Sequence, residues 1–345
     1  VTALDPVRAA VVGLGYWGPN LVRNLSELEG AEPTMVCDLR PEQLQTIGRR
    51  YPAVRRTTDF AEVLAADDVD AVVIATPVST HHPLAAAALK AGKHVFIEKP
   101  LAASGAEAHE LVAMAAERDL VLMPGHTFLY SPAVTMIRDL IHGGALGDIY
   151  FVSTSRVNLG LHQSDVSVVW DLGPHDFSIL RWWLDEAPTH VSAMSRGCVI
   201  PTIPDVAFVN LEFPSGTVAH VELSWLSPSK LRRTTVVGSE KMVVYDDVST
   251  EPVRVFDSGV TLPDPTTFGE YRLTYRTGDI VSPRVDAAEP LLLELGDFCA
   301  AIRGEGVPRS SAQLGLEVVE TIEAVDRSLA QNGARVAVGD PTTVA

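Results

Sequence analysis

A lysine, an aspartate and a histidine are the side chains of this sequence best placed to do chemistry. Lys99 stands in the triplet Glu98-Lys99-Pro100, directly after the apolar run Val95 to Ile97, and Asp171 precedes His175 by four residues. A lysine at the carboxyl end of a buried strand lies on the sheet edge where open α/β folds bind ligands, so it can serve a cofactor ribose and a substrate together. Residues four apart near a helix start point to one side, which puts Asp171 and His175 within reach of one substrate. A carboxylate beside an imidazole orients it and tunes it toward neutrality, as a proton shuttle requires. Singly, each has a plain structural reading: a solvated turn lysine, a helix cap at Asp171 or Asp176, an interior histidine. Together they fit a carbon centre that exchanges a hydride and a proton, if the rest of the chain supplies a dinucleotide.

The elements that would do so lie in the first hundred residues. The apolar run Val7 to Val12 leads into Gly13, Gly15 and Gly18 and then a helical stretch from Asn20 to Leu28. Gly13 permits the tight turn, Gly15 lets a pyrophosphate approach the backbone, and Gly18 lets helix pack on strand. The second strand, Thr34 to Cys37, ends in Asp38, where an acid accepts the adenosine ribose hydroxyls and repels a 2′-phosphate. This favours NAD(H). Arg40, two residues on, keeps NADP(H) open, because it could pair with such a phosphate. A third strand from Asp70 ends at Thr76 and Pro77, a helix starts near His81 and His82, and the strand into Glu98 follows. The candidate cofactor contacts are therefore Gly13, Gly15, Tyr16, Trp17, Gly18, Asp38, Arg40, Thr76, Pro77, His81, Glu98 and Lys99. Trp17 also fits a wedge against a second domain, and His81 a helix cap.

Composition bounds the rest. The 345 residues suffice for two domains, and 46% hydrophobic with 21% charged content is that of a globular protein. A net charge of −17 argues against binding a phosphate backbone with the molecule as a whole. No apolar stretch reaches membrane-spanning length and no leader pattern is visible; three scattered cysteines fit a reducing, cytoplasmic setting without metal-ligand spacing. The expectation is an enzyme with a small-molecule substrate, no metal, no nucleic acid and no membrane partner.

Strand and helix signals alternate to about residue 127, with helices expected from Asp59 and Ser104 and a buried strand from Leu120 to Met123. Strand-like runs then follow one another from Ile149 to Tyr245, with hairpins at Pro214 to Gly216 and Gly238 to Glu240. Residues 247 to 288 read as an excursion or edge hairpins, and two amphipathic helices, Glu289 to Arg303 and Ala312 to Gln331, close the chain. The fold class expected is an α/β N-terminal Rossmann domain with a doubly wound parallel sheet, residues 1–127, plus an α+β C-terminal domain with a large, mostly antiparallel open sheet, residues 128–345. An open sheet covered on one face predicts a homodimer or homotetramer. Pro174 is expected in the first turn of a helix over Phe177 to Leu184. Arg156 and Asn158, two apart on a strand, would offer a guanidinium and an amide to an anionic or hydroxylated substrate.

The glycine loop, Glu98-Lys99-Pro100 and the Asp171/His175 pair, in this order, resemble the Gfo/Idh/MocA family of NAD(P)-dependent oxidoreductases over essentially the whole chain. The resemblance implies that Lys99 contacts substrate and nicotinamide ribose, and that Asp171 and His175 bind substrate and transfer a proton. Gly15 to Asn20, with Ser155 to Gly160, is similar to the branch that oxidises the 3-hydroxyl of nucleotide-linked sugars or reduces the corresponding ketone. Three other functions stay open: a cyclitol dehydrogenase, a redox-assisted glycoside-cleaving enzyme, and a non-catalytic cofactor-sensing regulator.

Overall fold

The computed structural model describes residues 6–160, 166–261 and 274–339. The first of its two compact units comprises residues 1–130 together with 288–320, and the second comprises 131–287 with 321–345. The chain therefore divides at Tyr130 and not only there, since a C-terminal stretch returns to the first unit.

The first unit is a six-stranded, all-parallel sheet in the order β3-β2-β1-β4-β5-β6. Its strands are β1 (Val7–Val12), β2 (Ala31–Cys37), β3 (Arg55–Thr57), β4 (Ala71–Ile74), β5 (His94–Glu98) and β6 (Leu122–Gly125). The crossovers carry α1 (Gly18–Glu27), α2 (Pro41–Arg50), α3 (Phe60–Ala65), α4 (His81–Lys90) and α5 (Gly105–Glu117). A strand buried on both faces reads as unbroken apolar sequence, and Ala71, Val72, Val73 and Ile74 have no exposed surface. The expected starts at Asp59 and Ser104 hold for a local reason: Asp59 accepts the amide of Ala61, and the Ser104 hydroxyl accepts that of Glu107. The strand order reverses between β1 and β4, and the crevice at such a reversal is where this architecture binds dinucleotides.

The returning stretch completes this core. Helix α8 (Pro290–Ile302) places Phe298 edge-on to Phe96 of β5, with centroids 5.7 Å apart. Glu289 receives Arg23 and Asn24 from α1, and Tyr130 donates to Asp297 at 2.7 Å. The Ser310 hydroxyl donates to the carbonyl of Pro124 at 2.6 Å.

The second unit is built on a nine-stranded sheet ordered β14-β13-β12-β11-β7-β10-β9-β8-β15. These are β7 (Ile149–Leu159), β8 (His190–Arg196), β9 (Val206–Glu212), β10 (Val218–Ser224), β11 (Leu226–Gly238), β12 (Met242–Asp246), β13 (Val253–Thr261), β14 (Thr274–Val281) and β15 (Val336–Ala337). Only β7 and β10 pair in parallel; every other neighbour is antiparallel. Both expected hairpins occur, and the expected excursion contains the β13–β14 pair, with residues 262–273 outside the described residues. Helices α6 (Pro132–His142) and α7 (Val168–Leu184) pack on the inner face, where Val152, Thr154, Arg156, Val209, Val221 and Trp183 are buried. Helix α9 (Ala312–Ala330) belongs in its first part to the first unit and in its last to the second.

One local expectation fails. Helix α7 starts at Val168, six residues before Pro174, so the proline lies inside the helix. Its missing N–H removes one bond to the turn before it. Gly173 eases the preceding position, and its absent Cβ leaves room for the Phe177 ring, which would lie 2.9 Å away. The apolar residues Val168 and Val169, both fully buried, extend the helix backwards through the proline.

Candidate active site

At the first unit's crevice the glycine loop has the shape that a dinucleotide needs. A Cβ on Gly13 would meet the Ala75 carbonyl oxygen at 2.5 Å, and one on Gly18 the Gly13 carbonyl oxygen at 2.1 Å, so both glycines are demanded by the fold itself. Gly13 also sits at φ +92°, which favours glycine. At Gly15 a Cβ would meet nothing within 4 Å, so its bare backbone faces open space at the start of α1. That is room for a pyrophosphate at a helix N-terminus. Tyr16 and Trp17 flank this opening, both exposed, their rings edge to face at 5.6 Å.

Asp38 follows β2 directly and is buried, with its carboxylate fixed on two sides. The Leu14 amide donates to Oδ2 at 2.7 Å, and Arg40 donates from its amide at 2.8 Å and from Nε and Nη2, each at 3.0 Å. Burial pushes the carboxyl up, but these bonds outweigh it and hold Asp38 below its ordinary range. Arg40, read from sequence as a rival phosphate ligand, is thus the partner of Asp38 here.

At the ends of β4 and β5, Thr76 accepts the Thr80 hydroxyl at 2.7 Å, and Pro77 precedes the short 3-10 turn Val78–Thr80. The buried His81 ring lies with Nδ1 2.9 Å from the Pro100 carbonyl oxygen and Nε2 3.0 Å from that of Thr76. Neither the cofactor contact nor the helix cap read from sequence describes this ring. It lies between the end of β4 and the segment after Lys99; burial lowers its pKa despite the two carbonyls, so the ring is neutral and its one N–H donates to one of them. The Lys99–Pro100 peptide is cis.

Glu98, read from sequence as a cofactor contact, is buried beside Lys99 together with two groups that the sequence did not single out, His126 and Glu294. Burial raises Glu98 to about 7 against the pull of Lys99, and burial with Lys99 drives His126 down to about 3, leaving it neutral. Glu294 of α8 is buried, accepts the Thr127 hydroxyl at 2.7 Å, and is raised well above the carboxylate range by burial and by Glu98. His126 directly follows β6, and that position was its only clue. Glu294 had none, because an acid within a helix reads as solvated until the helix is known to pack here.

In the second unit Asp171 and His175 lie one turn apart on α7, both half-buried, as the spacing required. The Trp225 indole donates to Asp171 Oδ2 at 3.0 Å. Arg156 is placed otherwise than the sequence suggested. It is buried on the inner face of β7, with Nε bonded to Asp176 Oδ2 at 2.5 Å, while Thr154 donates to the other oxygen at 2.8 Å. The strand alternation that put Arg156 and Asn158 on one side was sound, but that side is the helix-covered one. The guanidinium is committed to the carboxylate that follows His175, and Asn158 is half-buried two residues on. Among the described residues no group of three His, Cys, Asp or Glu could hold a metal, and no helix is long and apolar enough to cross a membrane.

A parallel sheet in this order, a glycine cradle and an acid after the second strand define an NAD-binding Rossmann protein. Residues 7–126 match the family model for the oxidoreductase family with an NAD-binding Rossmann fold, and residues 134–244 match that of the GFO/IDH/MocA C-terminal domain. The chain belongs to the Gfo/Idh/MocA oxidoreductase family. It is 31% identical over 231 residues to inositol 2-dehydrogenase 2 of Paenarthrobacter aurescens (strain TC1), covering 63% of this chain and 68% of that one. The chain spans 62%, 44% and 62% of the lengths of three other curated relatives. Its fold matches the crystal structure of GenD2 from gentamicin A biosynthesis in complex with NAD, with TM-score 0.83, 26% identity and 99% and 98% of the two chains covered. It also matches the UDP-N-acetylglucosamine 3-dehydrogenase GnnA from Acidithiobacillus ferrooxidans, with TM-score 0.78, 25% identity and 93% and 97% of the two chains covered.

Proposed function

We propose that this chain is an NAD-dependent dehydrogenase, or ketoreductase in reverse, acting on a sugar hydroxyl, with C3 of a nucleotide-linked sugar as the substrate position. The observation that carries the reading is the Asp171/His175 pair on successive turns of α7, in a chain whose other unit has an open NAD cradle at Gly15. The likeness to GnnA supports the nucleotide-linked sugar, and the likeness to inositol 2-dehydrogenase 2 supports a free cyclitol as the second reading.

Bound NAD supplies the hydride acceptor. The protein supplies geometry and proton handling. Gly15 would leave the backbone open to the pyrophosphate, with Gly13 and Gly18 shaping the turn, and Asp38 would receive the adenosine ribose hydroxyls in place of some of its bonds from Arg40. Lys99 places positive charge where the carbinol oxygen becomes an alkoxide, which stabilises that charge electrostatically. His175 takes the hydroxyl proton, and Asp171 orients the substrate.

The test is NADH formation from UDP-N-acetylglucosamine and from myo-inositol, with the native chain, Lys99→Met and His175→Asn. Each substitution should cut kcat by about two to four decades, the range for a lost acid or base, and leave the NAD Kd nearly unchanged. Turnover of inositol alone would select the cyclitol reading. Variants as active as the native chain would overturn the site.

We also propose self-association through the outer face of the nine-stranded sheet. Registered neighbours put Met194 beside Phe208 and Val218 beside Phe151, all exposed on that face, with His220 stacked on Phe208. Exposed apolar side chains on an uncovered sheet face support an interaction surface there.

A further inference from the structure

Between β10 and β11 the chain passes through one residue, Trp225, whose ring is buried to 1% exposure. Its backbone is held on both sides: its amide donates to the Asp205 carbonyl at 3.0 Å, and its carbonyl accepts the Gly160 amide at 2.9 Å. The Asp205 carboxylate is itself buried and spanned by the amides of Cys198 and Val199, so this anchor is rigid. The indole then has one place to lie, across the backbone of Gly160. A Cβ on Gly160 would stand 2.7 Å from indole Cδ1 and 3.1 Å from Cγ, closer than real contacts allow. These are atoms at the root of a buried ring, not the far end of a flexible chain. A buried indole N–H needs an acceptor, and this one donates to Asp171 at 3.0 Å.

We propose that Trp225 is a positioning residue for Asp171, and that Gly160 is the residue whose lack of a side chain lets it be one. The inference rests on the reading of Asp171 as a substrate-binding group. A carboxylate on a helix side chain can turn about two bonds, and a fixed donor on one oxygen selects the plane in which it meets a sugar hydroxyl. The site would then be set by a residue 54 positions downstream and by a glycine on the neighbouring strand's end, neither of which touches substrate. The rival reading is that Asp171 merely satisfies a core indole and favours the start of α7 by its charge.

The experiment compares Trp225→Phe, Gly160→Ala, Asp171→Asn and Trp225→Phe/Asp171→Asn in the full chain. Kinetics use NAD with whichever of UDP-N-acetylglucosamine and myo-inositol the native chain oxidises. The bond itself is read from the 15N–1H resonance of the Trp225 indole. Trp225→Phe keeps an aromatic ring in place but removes the donor. It should raise the substrate KM by about tenfold or more, the worth of one charged hydrogen bond, with NAD Kd unchanged. Gly160→Ala should raise KM in the same direction and shift the indole resonance upfield. Asp171→Asn should shift that resonance too, and the double variant should have the KM of Asp171→Asn alone, because the two substitutions remove one interaction. Trp225→Phe with native KM and a lowered melting temperature would overturn the proposal, leaving the indole a core residue. Effects that add in the double variant would overturn it as well. If Asp171→Asn itself leaves kcat/KM unchanged, the substrate-site reading falls instead, while the indole resonance still reports whether the bond exists.

Discussion

The Arg156–Asp176 pair offers the sharpest test of the structural argument, because sequence and structure give the arginine different work. If Arg156 held a substrate anion, replacing it would raise KM and leave the fold untouched. In the structure both members are buried, at 4% and 3% exposure, and Asp176 accepts the arginine and the Thr154 hydroxyl, which in turn accepts that of Thr234. Arg156→Met fills a similar volume but leaves a carboxylate with hydroxyl support alone. Breaking a buried pair on one side costs about 3–5 kcal/mol, whereas replacing both partners by apolar groups is often neutral or better. For a unit of this size about 2–4 °C accompany each kcal/mol, so Arg156→Met should lower the melting temperature by about 6–20 °C. Arg156→Met/Asp176→Leu should recover most of that loss. Circular dichroism melts of the native chain, both single variants and the double variant decide the matter. A single variant that melts within about 2 °C of native while its KM climbs would refute the packing argument and restore the arginine to the substrate.

Three further outcomes are expected. Asp38→Ala removes the acceptor for the ribose hydroxyls and releases Arg40, so calorimetry should show NAD binding weakened by about one to two decades and the preference over NADP reduced or reversed; an unchanged NAD to NADP ratio would show that neither residue sets it. Glu98, raised to about 7 by burial, binds a proton in the native state that the unfolded chain releases, so it takes stability away as pH rises from the ordinary carboxylate range through 7. Glu98→Gln should flatten that slope and gain up to about 3 kcal/mol at alkaline pH, read from urea denaturation on both sides of the window, and a variant with the native slope would place the titration elsewhere. Phe208→Lys puts a charge in the middle of the exposed sheet face and should lower the oligomeric state in analytical ultracentrifugation without lowering the melting point of the remaining species; an unchanged sedimentation coefficient would move the interface.

How much was legible from sequence depended on whether a feature was local. The cradle at Gly13, Gly15 and Gly18 was readable because its demands are made by neighbours within a turn or two, and Asp38 because one strand separates it from that loop. Asp171 and His175 were readable because helical spacing fixes their common side wherever the helix begins. Its actual start at Val168 was hidden, since a proline is a stronger local signal than two buried valines whose partners lie on other strands. Arg156 was misread for the same reason. Its alternation on β7 could be counted, but which face α7 would cover, and that Asp176 would wait there, are tertiary facts. His81 had two readings from its place at a helix start, and its ring lies between the carbonyls of Thr76 and Pro100. The buried set around Glu98, His126 and Glu294 draws on residues almost two hundred positions apart, and no window of sequence contains it.

The return of residues 288–320 to the first unit, with α9 shared between the two, bears on how the chain comes off the ribosome. Multidomain chains commonly mature in order, each finished part leaving before the next is made. Here the first unit lacks Phe298 against Phe96, Asp297 under Tyr130 and Ser310 on Pro124 until synthesis has passed residue 310. The second unit likewise waits for Ser328, whose hydroxyl receives the Ala193 amide. The nucleotide-binding unit is therefore complete only after most of the second unit has been made, and a nascent chain arrested before α8 leaves Phe96 of β5 without its partner ring.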